Sequence, residues 1–152
     1  VVLTEVNPIR LGQAREAAFI DHALSGTAEG LTDTLHELAG GLFDCAIECS
    51  GNQRAATMAL ESIKPGATLT MLAYGSGPQV DSFSFINDEK RIQGGVFFTP
   101  EDFERVIAMM ADGRIDIRQY AEIITMDDAQ DTFLGLDNGT KNAQKYVIQN
   151  YV

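Results

Sequence analysis

The chain has 152 residues, 45% of them hydrophobic, which is enough apolar material for one globular domain. Its formal net charge is -11, and because nucleic acids and anionic membranes attract proteins mainly through Lys and Arg, neither is an expected partner. With two cysteines, no apolar run near the ~20 residues of a membrane span and no signal-peptide pattern, a soluble cytoplasmic protein is expected.

The first residues already have the pattern of a strand interior. The run from Val1 to Val6 is rich in β-forming residues, and no cap or polar tail precedes it. We therefore expect the chain to be trimmed at its start. Asn7-Pro8 follows as a helix cap and a first-turn proline, which predicts a helix to about Ala18.

Strand and helix patterns alternate along the next hundred residues. Apolar residues at helical spacing and glycine or proline punctuation define the elements. In residue numbers, they are a strand at 19–24, a helix ending at 40, a strand at 43–49, a helix from 52 that Pro65-Gly66 ends, strands at 67–74 and 91–98, and a helix from 99 that Gly113 ends.

Strands separated by single helices cannot pair as hairpins. They are therefore expected to lie parallel, with right-handed crossovers and helices on both faces, which is a doubly wound α/β fold. From Ile115 the pattern changes to a short strand near Ile123, a helix from Asp127 to about Leu136 and a last strand at 146–149. The two predicted regions are residues 1–114 and residues 115–152.

Several segments together resemble the medium-chain dehydrogenase family, especially its alcohol and sorbitol dehydrogenase branches. They are Glu5 with Arg10, Phe43-Asp-Cys-Ala-Ile-Glu-Cys-Ser-Gly51, Lys64-Pro-Gly-Ala-Thr-Leu69, Gly95-Val-Phe97 and Gly113-Arg-Ile-Asp116. The resemblance implies a partial Rossmann-type NAD-binding domain, without its first strand and glycine-rich turn, and a C-terminal segment that returns toward a catalytic domain. Zinc is then expected only in that preceding catalytic domain, and no catalytic or metal-binding residue is expected in this chain.

Glu5 is predicted to stand at the C-terminal end of the first strand, on the edge of an open α/β sheet where ligands bind. A carboxylate there can accept hydrogen bonds from both ribose hydroxyls of NAD and would repel the 2′-phosphate of NADP. NAD is therefore the expected cofactor and NADP the less favoured one; a solvated acid at a strand end is the alternative. Arg10 either lies along the adenosine or is a surface base that weakens this discrimination.

Cys45 and Cys49 invite a zinc or redox interpretation. At a spacing of four on a strand they point to one face but stand ~13 Å apart, too far for one metal ion or a disulfide. By resemblance, Cys49, Ser50 and Gly51 instead form the turn beside the coenzyme. The same tripeptide also fits an ordinary strand-to-helix turn.

Two trios at predicted strand ends flank the nicotinamide ring by resemblance, although the sequence alone would place them in the core. They are Leu72, Ala73 and Tyr74, and Val96, Phe97 and Phe98. Ala73 departs from the family pattern, which often has glycine at this position, where the backbone approaches the cofactor. By resemblance Lys145 faces the pyrophosphate or ribose; otherwise it is a lone lysine before a strand.

The resemblance implies an oxidoreductase that transfers hydride between an alcohol or polyol and a nicotinamide cofactor. The 152-residue chain by itself is expected to be inactive and to hold no stoichiometric metal. Two alternatives remain. One is a methyltransferase-like domain, which also uses an acid to hold a ribose but does not explain the Cys-Ser-Gly turn; the other is a non-catalytic or zinc-free member of the wider family.

Association is predicted from the sheet. In the strand order 3-2-1-4-5-6 the absent first strand is central, so a gap is expected between the first strand and the strand at Phe43. The strand from Arg91 to Phe98 is an exposed edge, and by resemblance it joins a two-fold mate. A homodimer or tetramer through this edge is expected, with Val96 and Phe97 buried.

Overall fold

The computed structural model describes residues 1–141 and 143–149. By contacts the chain divides into two compact units, Val1–Phe97 and Phe98–Val152. The helices and strands of the described residues are, in order, β1 (Val2–Glu5), α1 (Pro8–Glu16), β2 (His22–Ser25), α2 (Leu31–Ala39), β3 (Phe43–Glu48), α3 (Gln53–Glu61), β4 (Ile63–Met71), α4 (Ser82–Asn87), β5 (Arg91–Gly94), α5 (Pro100–Ala111), a 3₁₀ turn (Arg118–Tyr120), β6 (Ala121–Ile124), α6 (Ala129–Asp137) and β7 (Lys145–Ile148).

Every strand pair in the described residues is parallel, which confirms the α/β prediction. In the first unit β1 pairs with β2, and β4 lies between β3 and β5; in the second unit β6 pairs with β7. Thus β1 and β3 belong to separate hydrogen-bonded sheets, as the strand order predicted. Along residues 1–141 and 143–149, each of these two strands has one edge without a strand partner.

The core of the first unit lies between α3 and the sheet of β3, β4 and β5. Leu60, Ile63 and Leu69 form its buried cluster, and the last two are 0% exposed. Leu69 stands beside Ala46 of β3 in the ladder. Full burial of each large side chain contributes about 1.5–3 kcal/mol, so this β3–α3–β4 frame is the firmly packed part that holds the turn between β3 and α3.

Three helices begin where the sequence predicts, each after a residue whose side chain caps the first turn. The side chains of Asn7 and Asn52 each accept hydrogen bonds from two backbone N–H groups of the following turn. Thr99 and Asp102 form a reciprocal capping box at the start of α5. These starts are set by local hydrogen bonding, and the predictions at all three are confirmed.

The prediction that Pro65-Gly66 ends the third helix is wrong. That helix ends at Glu61, and β4 already begins at Ile63. In the pairing of β3 with β4, Ile63 has a partner in β3 and the regular register resumes at Thr68. Pro65 therefore lies in an irregular stretch, where its missing N–H removes no hydrogen bond between the two strands. At its other end β4 stops at Met71, before the predicted end at 74.

The predicted strand from 91 to 98 is also too long, since β5 ends at Gly94. The N–H of Gly95 still donates to the carbonyl of Met71 at 2.9 Å, but Phe97 has φ +62°, which is incompatible with a strand. The sequence also missed α4, which Asp81 caps. Six residues are too few to show a helical apolar period.

In the second unit, α6 connects β6 to β7. Lys141 crosses this helix: its Nζ donates to the buried Thr132 hydroxyl at 3.0 Å, and a Cβ at Gly135 would lie 2.7 Å from the Lys141 side chain. Gly135 is therefore required by packing. Within the described ranges, no helix combines the length and the apolar character needed to cross a membrane.

Candidate functional site

Glu5 ends β1, as predicted, and both oxygens of its carboxylate are used. Oε1 accepts the backbone N–H groups of Val6 and Asn7, each at 2.8 Å. Arg10 donates from Nε to Oε2 at 2.8 Å and from Nη2 to Oε1 at 3.1 Å. The sequence left the orientation of Arg10 open, and the structure pairs it directly with Glu5.

The ion pair keeps Glu5 charged. The hydrogen bond from Arg10, together with the backbone N–H groups of Asn7 and Val6, holds the pKa of Glu5 below its ordinary value, and the carboxylate raises the pKa of Arg10. The Glu5 side chain is 20% exposed and that of Arg10 is 48% exposed. Solvent therefore reaches the pair, and a ligand can do the same.

The strand β3 ends in a buried carboxylate, Glu48, which sequence reasoning did not single out. The side chain is bonded entirely within the turn that follows it. Oε1 accepts the N–H of Ser50 at 2.7 Å and also the Ser50 hydroxyl. The N–H of Gly51 donates to Oε1 at 3.1 Å and to Oε2 at 3.0 Å. The available signal was an acid at the end of a strand, two residues before Ser-Gly.

These bonds decide the charge state of Glu48. Burial alone raises the pKa of this carboxyl, but the bonds from Ser50 and Gly51 outweigh it and the net pKa is lowered. Burial, and then the charge of Glu48, raise the pKa of the neighbouring Cys49 thiol. Cys49 is therefore a protonated thiol near neutral pH, which makes it a poor nucleophile.

The turn after β3 lies against the loop after β4, backbone to backbone. The N–H of Ser76 donates to the carbonyl of Gly51 at 3.0 Å. A Cβ at Gly51, whose φ is +68°, would stand 2.4 Å from the carbonyl oxygen of Tyr74, and a Cβ at Gly75 would stand 2.1 Å from that of Gly51. Both glycines are therefore required by this contact, which brings Gly51 and Tyr74 together.

The apolar trios lie just beyond the strands and not in a core. Leu72 and Val96 are half-exposed, whereas Tyr74 is 87% exposed and Phe97 is 90% exposed. A Cβ at Gly95 would lie 2.8 Å from the Leu72 side chain, so the ends of β4 and β5 are adjacent. The positive φ of Phe97 is rare for a bulky residue and holds an exposed ring at this edge.

The remaining predicted site residues differ in setting. Ala73 is half-buried after β4. In the second unit, the Phe98 ring stacks on Phe103 with centroids 5.3 Å apart, and Lys145 is the exposed first residue of β7. Cys45 and Cys49 are both free thiols. Across residues 1–141 and 143–149, no three His, Cys, Asp or Glu side chains converge as a metal site.

With this geometry in place, comparison with known proteins decides the family. A sequence profile described as "Zinc-binding dehydrogenase" matches residues 1–112. The chain belongs to the zinc-binding dehydrogenase family. The predicted resemblance to the medium-chain dehydrogenases is therefore confirmed.

Full-length relatives include two L-threonine 3-dehydrogenases. The one from Ruegeria pomeroyi is 28% identical over 91% of this chain, and the one from Rhizobium johnstonii is 30% identical over 97%. The dehydrogenase-family chain covers 42% and 43% of those two proteins. It thus spans about two fifths of the length of these relatives.

Solved dehydrogenases share the fold. Benzyl alcohol dehydrogenase from Acinetobacter calcoaceticus matches 97% of this chain with a TM-score of 0.83 at 15% identity, and the match covers 42% of that enzyme. The alcohol dehydrogenase of Aeropyrum pernix matches 99% of the chain with a TM-score of 0.82 at 17% identity, over 42% of its length. The Rossmann-type fold predicted for this dehydrogenase-family chain is confirmed.

Proposed function

We propose that the whole protein is an NAD-dependent, zinc-type oxidoreductase that transfers hydride between an alcohol or polyol and the nicotinamide. The observation that carries this proposal is the ionised Glu5 at the carboxyl end of β1, inside the segment that matches the family. Relatives named for L-threonine and benzyl alcohol support a hydroxyl-bearing substrate. The family match does not favour the methyltransferase alternative.

The residues present fit the adenosine half of NAD. Oε1 of Glu5 already takes three donors, whereas Oε2 takes only Arg10 Nε among the described residues, so Oε2 retains capacity for a ribose hydroxyl. Its partial exposure leaves a path for the ligand. We assign ribose binding to Glu5 and contact with the adenosine to Arg10.

The other assigned contacts surround the nicotinamide and the pyrophosphate. When bound, NAD supplies the hydride-accepting ring. The turn of Cys49, Ser50 and Gly51 offers backbone close to the cofactor. Leu72, Ala73, Tyr74, Val96, Phe97 and Phe98 supply apolar surface that excludes water, and Lys145 offers a positive charge to the pyrophosphate or ribose.

The described residues do not fit a zinc site. No three His, Cys, Asp or Glu side chains converge among them. Zinc ligands of the whole protein are therefore assigned to sequence outside these 152 residues. The 152-residue chain by itself is proposed to bind no stoichiometric zinc and to have no dehydrogenase activity. A cytoplasmic location and association through β5 belong to the same proposal.

Cofactor binding by the whole protein is the direct test. We expect NADH fluorescence to titrate to saturation and an alcohol or polyol to drive reduction of NAD. S-adenosylmethionine is the control ligand and is expected not to compete with NADH. Saturable binding of S-adenosylmethionine without any binding of NADH would contradict the proposal.

A further inference from the structure

We propose that Glu48 is a positioning residue for the cofactor, an inference that rests on the proposed function. Its buried carboxylate holds the turn of residues 49–51, and the bond from Ser76 to Gly51 passes this constraint to the loop after β4. We call this arrangement the Glu48 clamp: the Glu48 carboxylate, the turn 49–51 and the loop 72–79. The clamp contains both the turn and one of the apolar trios assigned to NAD.

The burial of Glu48 is the first step of the argument. Glu48 is 4% exposed, and within the described part of the chain it is the only buried residue with an ionisable carboxyl. No ion pair in that part involves it. Its charge is therefore balanced by the N–H and hydroxyl of Ser50 and by the N–H of Gly51. A buried charge is costly unless such donors satisfy it.

Capping a turn does not by itself require a buried acid. Asp128 accepts the N–H and hydroxyl of Thr125 at 3.2 Å and 2.6 Å, and Asp102 accepts those of Thr99 at 3.1 Å and 2.8 Å, all from exposed positions. In contrast, both oxygens of Glu48 also accept the N–H of Gly51, and the carbonyl of Gly51 accepts the N–H of Ser76. The burial therefore serves the link between the two loops.

The loop after β4 is fixed at several places along its length. Leu72 N–H donates to the Glu48 carbonyl at 2.8 Å, Ser76 N–H to the Gly51 carbonyl at 3.0 Å and Gln79 N–H to the Thr57 hydroxyl at 2.8 Å. These anchors all lie on the β3–α3 segment. The position of Tyr74, between the first two of them, thus depends on the conformation that Glu48 imposes on Gly51.

The test is Glu48→Gln in the whole protein, with NADH as the probe. Glutamine keeps the shape but presents an NH₂ group where the carboxylate accepted from Gly51. We expect the dissociation constant for NADH to rise about tenfold, as for the loss of one charge-assisted hydrogen bond. We also expect a weaker fluorescence enhancement of bound NADH and faster amide exchange at Gly51 and Ser76. Circular dichroism sets a temperature at which the variant is fully folded.

Two further variants separate positioning from stability. Asp128→Asn removes the charge of a turn-capping acid in the second unit and is expected to leave NADH binding unchanged. Ser76→Pro breaks the clamp from its other side, at an exposed residue, and is expected to weaken NADH binding like Glu48→Gln even if the latter folds poorly. If Glu48→Gln and Ser76→Pro fold and bind NADH as tightly as the unaltered protein, the positioning role of Glu48 is wrong, while the proposed function stands. An unaltered protein that does not bind NADH contradicts the proposed function itself.

Discussion

Arg10 donates two hydrogen bonds to the carboxylate of Glu5, from Nε at 2.8 Å and from Nη2 at 3.1 Å. In the proposed site the two residues would act in opposite directions on cofactor choice, because the charge of Glu5 would repel a 2′-phosphate and that of Arg10 would attract it. At ~4 Å and an effective dielectric near 20, one charge pair amounts to at most ~4 kcal/mol. Because both side chains are partly exposed and their charges are opposite, we expect a preference for NAD smaller than Glu5 alone would give.

Replacing Glu5 with serine is predicted to narrow the preference for NAD. The change should weaken NAD binding, because it removes the acceptor for the ribose hydroxyls, and should strengthen NADP binding, because it removes the repulsion of the 2′-phosphate. The ratio of kcat/KM for NAD to that for NADP should therefore fall about tenfold or more. The whole protein and its Glu5→Ser variant are compared with both cofactors. An unaltered protein that favours NADP would show that the role assigned to Glu5 is wrong.

Arg10→Gln is the matched variant for that experiment. It removes the opposing charge and leaves Glu5 in place, so the NAD to NADP ratio should rise. A ratio that falls in both variants would mean that the pair acts only as a structural link between β1 and α1.

A methyl group at Gly75 is predicted to disturb both stability and cofactor binding. A Cβ there would meet the Gly51 carbonyl at 2.1 Å, backbone against backbone, so one of the two loops must shift. Gly75→Ala should lower the free energy of unfolding by about 1–3 kcal/mol and weaken NADH binding. Urea unfolding and NADH titration measure the two effects.

Gly77→Ala is the control, because a Cβ at Gly77 has no atom within 4 Å and no positive φ opposes it. The free energy of unfolding should stay the same or rise by about a few tenths of a kcal/mol, because alanine lowers the conformational entropy of the unfolded chain. Equal effects at Gly75 and Gly77 would contradict the close contact between the loops.

Acid stability is predicted to depend on Glu48. Its pKa is lowered in the folded chain from an ordinary value of 4.5, so the stability it contributes is present above pH 4.5 and is lost as the pH falls through the folded-state pKa. Urea unfolding across this range should show a steeper loss for the unaltered protein than for Glu48→Gln. The two unfolding free energies should converge at the acid end. Parallel curves would mean that Glu48 carries no lowered pKa.

Features set by neighbouring residues could be predicted from the sequence. Asn7, Asn52 and Thr99 bond to N–H groups within three residues of themselves, so the three helix starts were visible in the order of residues. The position of Glu5 at the end of β1 could be predicted for the same reason, because it lies between a strand pattern and the Asn-Pro start of a helix. The cofactor role proposed for that acid rests on its place at the edge of the sheet and on the family resemblance.

Features set by contacts distant in sequence could not. Pro65 fits inside β4 because the ladder with β3 is interrupted beside it, which depends on a segment about twenty residues earlier. The importance of Glu48 depends on its burial, and that of Gly75 on the approach of Gly51. The sequence therefore placed the candidate site at the strand ends but did not show the contact between the two loops.

The outer edge of β5 is predicted to form a two-fold interface. In the order β3-β4-β5 this strand ends the sheet, and the N–H of Gly95 points inward to Met71 at 2.9 Å. Because backbone direction alternates along a strand, the N–H of Gly94 points to the open edge, where it can pair with a second copy. Val96 and Phe97 follow at 58% and 90% exposure, and their burial would contribute about 1.5–3 kcal/mol each.

Gly94→Pro tests this interface, since proline removes the outward N–H while the inward bond of Gly95 to β4 is kept. Light scattering should show a dimer, or a tetramer built from dimers, for the unaltered protein and a smaller species for the proline variant. Gly94→Ala is the control: its Cβ would have no atom within 4 Å, it keeps the N–H, and it should assemble normally. If the unaltered protein is a monodisperse monomer, or if Gly94→Pro leaves the oligomeric state unchanged, another element covers this edge.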